Sequence, residues 1–240
     1  MAQPSRNRTR STAAILTAPL SSSALPTLSS AQVNQVDALA QERFGLSVEW
    51  LMEAAGWQIA RFVGRRATVV CGVGNNAGDG LAAARHLHRW GRLAGVCCVD
   101  ATRLRGPAAL ELTALQKHGV DVSDELRLDE AAVVVDAIFG TGLSRAPEAK
   151  FAEWIEGINE SGREVVSVDV PSGLDADSGV AYSPTVKASV TIALGLPKPG
   201  LLNLPGGVVV ADIGIPAEAY AAVGVKVPLD LFAKGDLVRL

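Results

Sequence analysis

The 240-residue sequence contains only three cysteines, which are Cys71, Cys97 and Cys98. They form an odd set with one adjacent pair, and all of them lie within apolar runs. Such a set makes a poor disulfide framework and is typical of proteins from reducing compartments. We therefore expect a cytoplasmic protein without structural disulfides.

Basic charge is also scarce, since 22 Lys and Arg residues face 25 Asp and Glu residues, for a net charge of −3. Arg6, Arg8 and Arg10 lie in an amino-terminal segment without acids, so the remainder of the chain is more acidic still. Nucleic-acid binding depends on a basic face that displaces counterions from phosphates. The composition therefore argues against a nucleic-acid partner.

A long hydrophobic run is missing as well. The uncharged segment 11–36 is rich in Ser and Thr and is interrupted by Pro19 and Pro26, whereas a membrane span needs about 20 mostly apolar residues. We therefore expect no membrane partner. Three interpretations of this segment stay open: a disordered tail, an organelle transit peptide or a weak signal peptide. We assign residues 1–28 to a disordered or targeting tail, with an organelle as the alternative location.

Short β-branched runs alternate with helical stretches after two opening amphipathic helices. The runs are residues 67–72, 95–100, 131–137, 164–170, 188–195 and 207–213, and helical candidates lie at 79–90, 106–118 and 147–160. Continuous apolar strands joined by helices are typical of a parallel sheet covered on both faces. This pattern predicts an α/β fold, namely a three-layer αβα, Rossmann-like, doubly wound and mostly parallel sheet.

The carboxyl-terminal part of the sequence departs from this alternation. A loop rich in Pro and Gly joins the last two predicted strands and is too short for a crossover helix, which predicts a mixed sheet at that edge. We assign residues 29–228 to one domain. Residues 229–240 are interpreted as a tail, a terminal helix or the start of a linker.

Three predicted strands end in polar or glycine-rich segments, where open α/β sheets bind their ligands. In the first segment, Gly72, Gly74 and Gly78 allow tight turns before a helix whose amides suit a phosphate. The alternative is a simple glycine turn. Two side-chain amides, Asn75 and Asn76, favour ligand contacts over that alternative.

The other two segments each contain an acid at the end of an apolar strand. Asp136 precedes Gly140 and Gly142, whose spacing suits close approach to an anionic ligand, although Asp136 could also cap a turn. Asp169 ends the run VVSVDV, and a desolvated carboxylate of this kind suits general acid–base chemistry. Lys187 precedes the next strand and is either a counter-charge at the pocket edge or an ordinary solvated lysine.

The first glycine segment has a second interpretation. Gly72 to Ala77 matches G-x-G-x-x-A, and Asp100 ends the second strand, as in NAD-dependent dehydrogenases. That interpretation leaves Asn75, Asn76 and the other two strand ends without a role. A non-catalytic nucleotide-binding module of the same fold is a further alternative.

Five motifs, in the order GNNAGDG, LAAARHL, DAIFGTGLSR, VVSVDVPSGLDADSG and KASVTIALGLPKPGL, resemble the YjeF amino-terminal domain, the NAD(P)H-hydrate epimerase family. The segment LMEAAG also resembles the LMENAG segment of that family. The resemblance extends from about residue 28 to residue 215. Ala77 stands where the family has glycine in GNNGGDG, and Ala54 stands where it has asparagine. A Cβ at position 77 requires a backbone conformation that an alanine tolerates.

The resemblance implies an isomerase that interconverts the R and S forms of NADH or NADPH hydrated at C6 of the nicotinamide ring. The hydrated dinucleotide is then the substrate, not a cofactor. The resemblance also implies functional coupling to a separate ADP- or ATP-dependent NAD(P)H-hydrate dehydratase, which uses the S form. Family members are often dimers, so a homodimer is one expectation, whereas the sequence itself leaves the oligomeric state open.

The resemblance also implies site residues. Substrate-binding residues would be Asn75, Asn76, Ala77, Gly78, Asp79, Gly140, Thr141, Gly142, Leu143, Ser144, Arg145, Ala146 and Asp169. Asn76, Asp136 and Ser172 would bind one potassium ion per subunit, and a single carboxylate with neutral oxygens suits a monovalent cation better than Mg²⁺ or Ca²⁺. Our hypothesis assigns acid–base catalysis to Asp169, with Lys187 as its electrostatic partner.

Overall fold

The computed structural model describes residues 25–240. The helices are α1 (Ser30–Glu42), α2 (Val48–Val63), α3 (Asn75–Arg89), α4 (Gly106–Lys117), α5 (Lys150–Glu160) and α6 (Ala217–Ala222). The strands are β1 (Ala67–Cys71), β2 (Leu93–Cys98), β3 (Val122–Ser123), β4 (Val133–Ala137), β5 (Glu164–Val168), β6 (Val190–Leu194), β7 (Gly207–Ala211) and β8 (Leu237–Arg239). All six predicted strands and all three predicted helical stretches are present within a few residues of their expected bounds.

The eight strands form one sheet with the order β3-β2-β1-β4-β5-β6-β7-β8. Neighbours are parallel from β3 to β7, and β8 alone pairs antiparallel, with Ala211 opposite Leu237. The predicted mostly parallel, doubly wound sheet with a mixed carboxyl-terminal edge is therefore confirmed. The strand order reverses beside β1, and ligands bind at such a position in open α/β sheets.

The sequence analysis attributes the mixed edge to the connection between the last two predicted strands, but those two strands are parallel. β6 and β7 are parallel, and residues 195–206 connect them with only a 3₁₀ turn at Pro199–Leu201. A connection of about a dozen residues is long enough to join parallel strands even without an α-helix. The antiparallel strand is instead β8, so residues 229–240, expected to be a tail or linker, include an edge strand of this domain.

Alternation of side chains along the strands divides the core into two layers. Val133 and Val135 of β4 pack with Leu81 and Ile59 of the α2 and α3 layer, whereas Val134 packs with Ile155 of α5 on the opposite face. Burial of both faces explains why the strands are apolar throughout. The sequence therefore folds into the three layers that its pattern predicts.

The two opening helices are set by local signals. A capping box at Ser29 and Gln32 begins α1, and Ser47 caps α2, which ends at Gly64 in the left-handed conformation, φ 58°. α2 lies close against α3, since a Cβ on Gly56 would come within 2.4 Å of the Ala82 Cβ. Within residues 25–240, no helix has both the length and the apolar character needed to cross a membrane.

The predicted tail, residues 1–28, lies outside the described residues except for its last four positions. There, Leu25 and Leu28 are buried, and the Leu28 amide donates a hydrogen bond to the Pro197 carbonyl at 3.0 Å. The packed part of the chain therefore begins before residue 29.

Candidate functional site

A cavity of about 430 Å³ lies at the carboxyl ends of the central strands, beneath α1. Its wall is formed by the start of α3, by the loops after β4, β5 and β6, and by residues of α1 and α2. The acidic and basic side chains that line it are Asp37, Asp79, Asp169 and Lys198. Such a concave site at the switch point of the sheet is the expected location of a ligand.

Asp169 occupies a strained position at the end of β5. Its φ is 64°, and the Val170 amide donates a hydrogen bond to the Val168 carbonyl at 2.7 Å, which makes Asp169 the centre of a tight γ-turn. Non-glycine residues rarely adopt this conformation, and such strain is concentrated at functional sites. The Asp169 amide is held by the Ile192 carbonyl at 2.7 Å, so β6 fixes the turn.

Lys198 forms an ion pair with Asp169 inside the cavity wall. Its Nζ contacts Asp169 Oδ1 and donates a second hydrogen bond to the Leu194 carbonyl at 3.1 Å. The Leu194 amide also donates to Asp169 Oδ1, at 3.2 Å. Only 1% of the Lys198 surface is exposed, and a buried lysine requires a partner of this kind.

The sequence hypothesis names Lys187 as the electrostatic partner of Asp169, whereas the structure places Lys187 outside the cavity lining. Lys187 is exposed and precedes β6, at the edge of the sheet where the parallel strands begin, and its amide donates to Asn159 Oδ1 at 2.8 Å. Sequence reasoning missed Lys198, which lies between Pro197 and Pro199. A lysine held between two prolines after a strand end was the available signal.

Two further carboxyl groups share the cavity with this ion pair. Burial raises the pKa of Asp79 well above its ordinary value, the carboxylates of Asp169 and Asp37 raise it further, and Lys198 opposes the rise. Burial also raises the pKa of Asp37, with Lys198 lowering it and Asp169 raising it. The cavity therefore combines an ion-paired carboxylate with two acids that hold their protons more strongly than usual, a combination suited to proton transfer.

Asp136 and Ser172 meet directly behind the cavity. Ser172 Oγ donates to Asp136 Oδ1 at 2.6 Å, while the Ser172 amide and Ser167 Oγ donate to Asp136 Oδ2 at 3.0 and 2.7 Å. Burial raises the pKa of Asp136, and these hydrogen bonds oppose the rise. Asp136 is fully buried and forms no ion pair with any residue that the structure describes.

Asn76 joins this pair through the loop after β4. The Phe139 amide donates to Ser172 Oγ at 2.9 Å, and a Cβ on the adjacent Gly140 would lie 3.4 Å from Asn76 Oδ1. Asn76 Nδ2 is buried without a hydrogen-bond partner. The three predicted metal ligands thus lie around one short loop, although Asn76 is 60 residues from Asp136 in the chain and Asp136 is 36 residues from Ser172.

The remaining predicted binding residues divide into three groups. Asn75, Gly140, Thr141, Gly142 and Leu143 line the cavity. Ser144, Arg145 and Ala146 are exposed and outside the lining, whereas Ala77 and Gly78 are buried within α3. Ala77 is helical and fully buried in the core, so its Cβ is accommodated without a positive φ.

Comparison with known proteins identifies relatives of this chain. A model of the family described as "YjeF-related protein N-terminus" matches residues 48–200. The NAD(P)H-hydrate epimerase of Dehalogenimonas lykanthroporepellens is 34% identical over 220 residues, which cover 87% of this chain and 90% of the relative. A crystal structure of yeast ynu0 superposes with a TM-score of 0.79 at 26% identity, covering 90% of this chain and 100% of the yeast chain.

Longer relatives match over only part of their length. The bifunctional NAD(P)H-hydrate repair enzyme Nnr of Thermofilum pendens is 42% identical over 191 residues, which cover 73% of this chain and 36% of the relative. This chain thus spans less than half of the bifunctional relatives that it matches. The matched segment contains α2 to β6 and hence most of the cavity wall, and on these grounds the chain belongs to the family of YjeF-related amino-terminal domains.

Proposed function

We propose that this protein is an NAD(P)H-hydrate epimerase, which interconverts the R and S forms of NADH or NADPH hydrated at C6. The observation that carries the proposal is the ion pair of Asp169 and Lys198 in the cavity at the switch point of the sheet. Relatives of similar length that bear this name, from Dehalogenimonas lykanthroporepellens and Rhodopirellula baltica, support the substrate class.

The reacting centre of this substrate is a carbon that carries a hydroxyl group next to the ring nitrogen. The nitrogen lone pair assists departure of the hydroxyl, and an acid that protonates the oxygen makes it a better leaving group. Return of water to the other face then inverts the centre. We assign proton transfer to Asp169. Lys198 Nζ and the Leu194 amide both donate hydrogen bonds to Asp169 Oδ1 and so orient the carboxylate.

The start of α3 supports binding of the dinucleotide phosphates. Gly74 precedes the helix and has no side chain to cover the free amides of its first turn, and Asn75 lines the cavity beside them. Helix amino termini of this kind attract anions. The loop of Gly140, Thr141 and Gly142 faces the same cavity and would contact the remainder of the substrate.

Potassium binding by Asn76, Asp136 and Ser172 belongs to the same proposal. The residues fit a monovalent cation, because Asp136 is buried without an ion pair among residues 25–240 and the Asn76 amide oxygen, Oδ1, lies beside Gly140 in the loop after β4. The ligands would be neutral oxygens and one carboxylate, with no second acid to favour a divalent ion. A bound cation would supply the positive charge that Asp136 lacks and would hold the loop after β4.

We further propose coupling to a dehydratase and assembly as a homodimer. The bifunctional relatives, of which this chain spans the smaller part, support a partner activity that consumes the epimerised product. Trp50 and Trp57 of α2 expose 65% and 37% of their surface, which gives a dimer an apolar contact. Size-exclusion chromatography with light scattering tests the dimer, and a monomer at micromolar concentration would contradict it.

We also propose a cytoplasmic location. Support comes from Cys71, Cys97 and Cys98, which are free thiols despite their burial. The organelle alternative depends on residues before Leu25, outside the described part of the chain. Imaging of the full chain tagged at its carboxyl terminus distinguishes the two locations.

Chromatographic separation of R and S hydrates, with and without enzyme, tests the epimerase proposal. Enzyme should drive a purified R form to the equilibrium mixture much faster than the spontaneous reaction. A dehydrogenase would instead transfer a hydride and change the absorbance of intact NAD⁺, and a binding module would leave the spontaneous rate unchanged. Either of these results would replace the proposal.

A further inference from the structure

The helix α1 covers the cavity and is tied to the loops that build it. Ser30 Oγ donates to the Thr141 carbonyl at 3.2 Å, and the Ser30 amide donates to Asp177 Oδ1 at 2.7 Å. Gln32 Nε2 reaches the Val223 carbonyl at 3.3 Å. These bonds join α1 to loops that follow different strands, so the helix forms a wall of the cavity distinct from the strand ends.

Asp37 is the acid that α1 contributes to the cavity lining. The charged or titratable side chains that line the same cavity are Asp79 from α3, Asp169 from the end of β5, Lys198 from the loop after β6 and Tyr220 from α6. Three carboxyl groups thus share one ammonium group. Burial raises the pKa of Asp37, Lys198 lowers it and Asp169 raises it, and Lys198 is already committed to Asp169.

We propose that Asp37 is a second acid–base residue of the epimerisation, acting from α1 while Asp169 acts from the edge of the sheet. This inference rests on the proposed function. Inversion at C6 requires the hydroxyl to leave one face of the ring and water to add to the other. Two carboxyl groups from different segments of the chain would allow one to protonate the leaving hydroxyl and the other to deprotonate the incoming water without reorientation of the bound ring.

The chemistry balances with these two carboxyl groups. Asp37 donates its proton to the hydroxyl oxygen, the C6–O bond breaks, water departs, and the nitrogen lone pair forms a C=N bond. A water molecule then adds to the other face, a new C6–O bond forms, the electron pair returns to nitrogen, and Asp169 accepts the water proton. The reverse reaction exchanges the two roles, and solvent in the cavity returns the proton between turnovers.

Asp37 suits this role better than Asp79 does, because of where each side chain originates. Asp79 lies in α3, which begins directly after β1, so it approaches the substrate from the same edge of the sheet as Asp169. Asp37 lies in α1, which does not follow a strand of the sheet. This helix packs against Leu196, Ala219 and Tyr220 in a separate apolar cluster. Of the three acids that line the cavity, only Asp37 is contributed by α1 and not by a segment that follows a strand.

Asp37→Asn and Asp37→Ser test the inference, with Glu42→Gln as the matched control. Glu42 is an exposed acid at the end of the same helix and does not line the cavity. We expect both Asp37 variants to lower kcat by about 100-fold or more, with KM within about threefold of the wild-type value. Asp37→Glu should recover part of the activity, since it restores a carboxyl group.

The pH profile separates proton donation from a purely structural role. The wild-type rate should fall at high pH as Asp37 loses the proton that it must donate, and this fall should be absent in Asp37→Asn. If both Asp37 variants keep kcat within about threefold of wild type, or keep the fall at high pH, the inference is wrong. Failure of the wild-type protein and Glu42→Gln to epimerise the hydrate would instead overturn the proposed function.

Discussion

Asp169 and Lys198 form a buried ion pair although 29 residues separate them in the sequence. Asp169 is held by a γ-turn at the end of β5, and Lys198 reaches it from the loop that joins two parallel strands, β6 and β7. The pair therefore depends on the sheet topology. The ion pair also places the ammonium group of Lys198 beside Asp169, which is one of the three acids that line the cavity.

Substitution of the two lysines separates their roles. Lys198→Met should leave Asp169 buried without its counter-charge, so kcat should fall by about 100-fold and the free energy of unfolding by about 3 kcal/mol. Lys187→Met should change the free energy of unfolding by less than about 0.5 kcal/mol, because Lys187 is exposed. Urea unfolding and epimerisation rates measure both effects. Equal losses in the two variants would contradict the placement of Lys198.

Asp79 should make stability depend on pH in the unliganded protein. Its pKa is raised well above the ordinary value in the folded state, so the unfolded state loses its proton first as the pH rises and folding becomes less favourable. Asp79→Asn removes this penalty. We expect its Tm to exceed that of wild type at pH 7, with the difference shrinking as the pH falls towards 4. A difference independent of pH would contradict the raised pKa.

Potassium should stabilise the folded protein through the loop after β4. Thermal unfolding in KCl should give a higher Tm than in choline chloride of the same ionic strength, because a ligand that binds only the folded state stabilises it. Asn76→Ala should abolish that difference. Asn203→Ala, on an exposed loop away from the cavity, should keep it. Equal Tm values in the two salts would refute the cation site.

The three thiols should be unreactive in the folded protein. Burial raises the pKa of Cys98 to about 11 and that of Cys71 well above its ordinary value, and only the thiolate reacts with disulfide reagents. Titration with such a reagent at pH 8 should therefore detect no thiol in native protein and all three in urea. Rapid reaction of a native thiol would show that a strand end opens locally.

Hydrophobic patterning predicts the central strands because burial on both faces requires the apolar runs that β1 and β4 contain. It did not predict β8, since a three-residue edge strand carries too little pattern and gains its pairing from β7. The strand-end acids Asp136 and Asp169 were predictable for a related reason. A carboxylate at the end of an apolar run stands out in the sequence.

The sequence alone could not predict the contacts between segments that are distant in the chain. Nothing near Lys198 in the chain indicates that it meets Asp169, and nothing near Asp37 shows that α1 covers the cavity. Both relationships depend on loop paths that follow the sheet order. The γ-turn at Asp169 is likewise imposed by β6, whose Ile192 carbonyl holds the Asp169 amide.

The most direct test compares wild type with Asp169→Asn on purified R hydrate, with the R and S forms separated by chromatography over time. Wild type should bring the mixture to equilibrium rapidly, whereas Asp169→Asn should bind the hydrate but leave it to interconvert at the spontaneous rate. Unchanged turnover in Asp169→Asn would contradict a role for this carboxylate in the reaction.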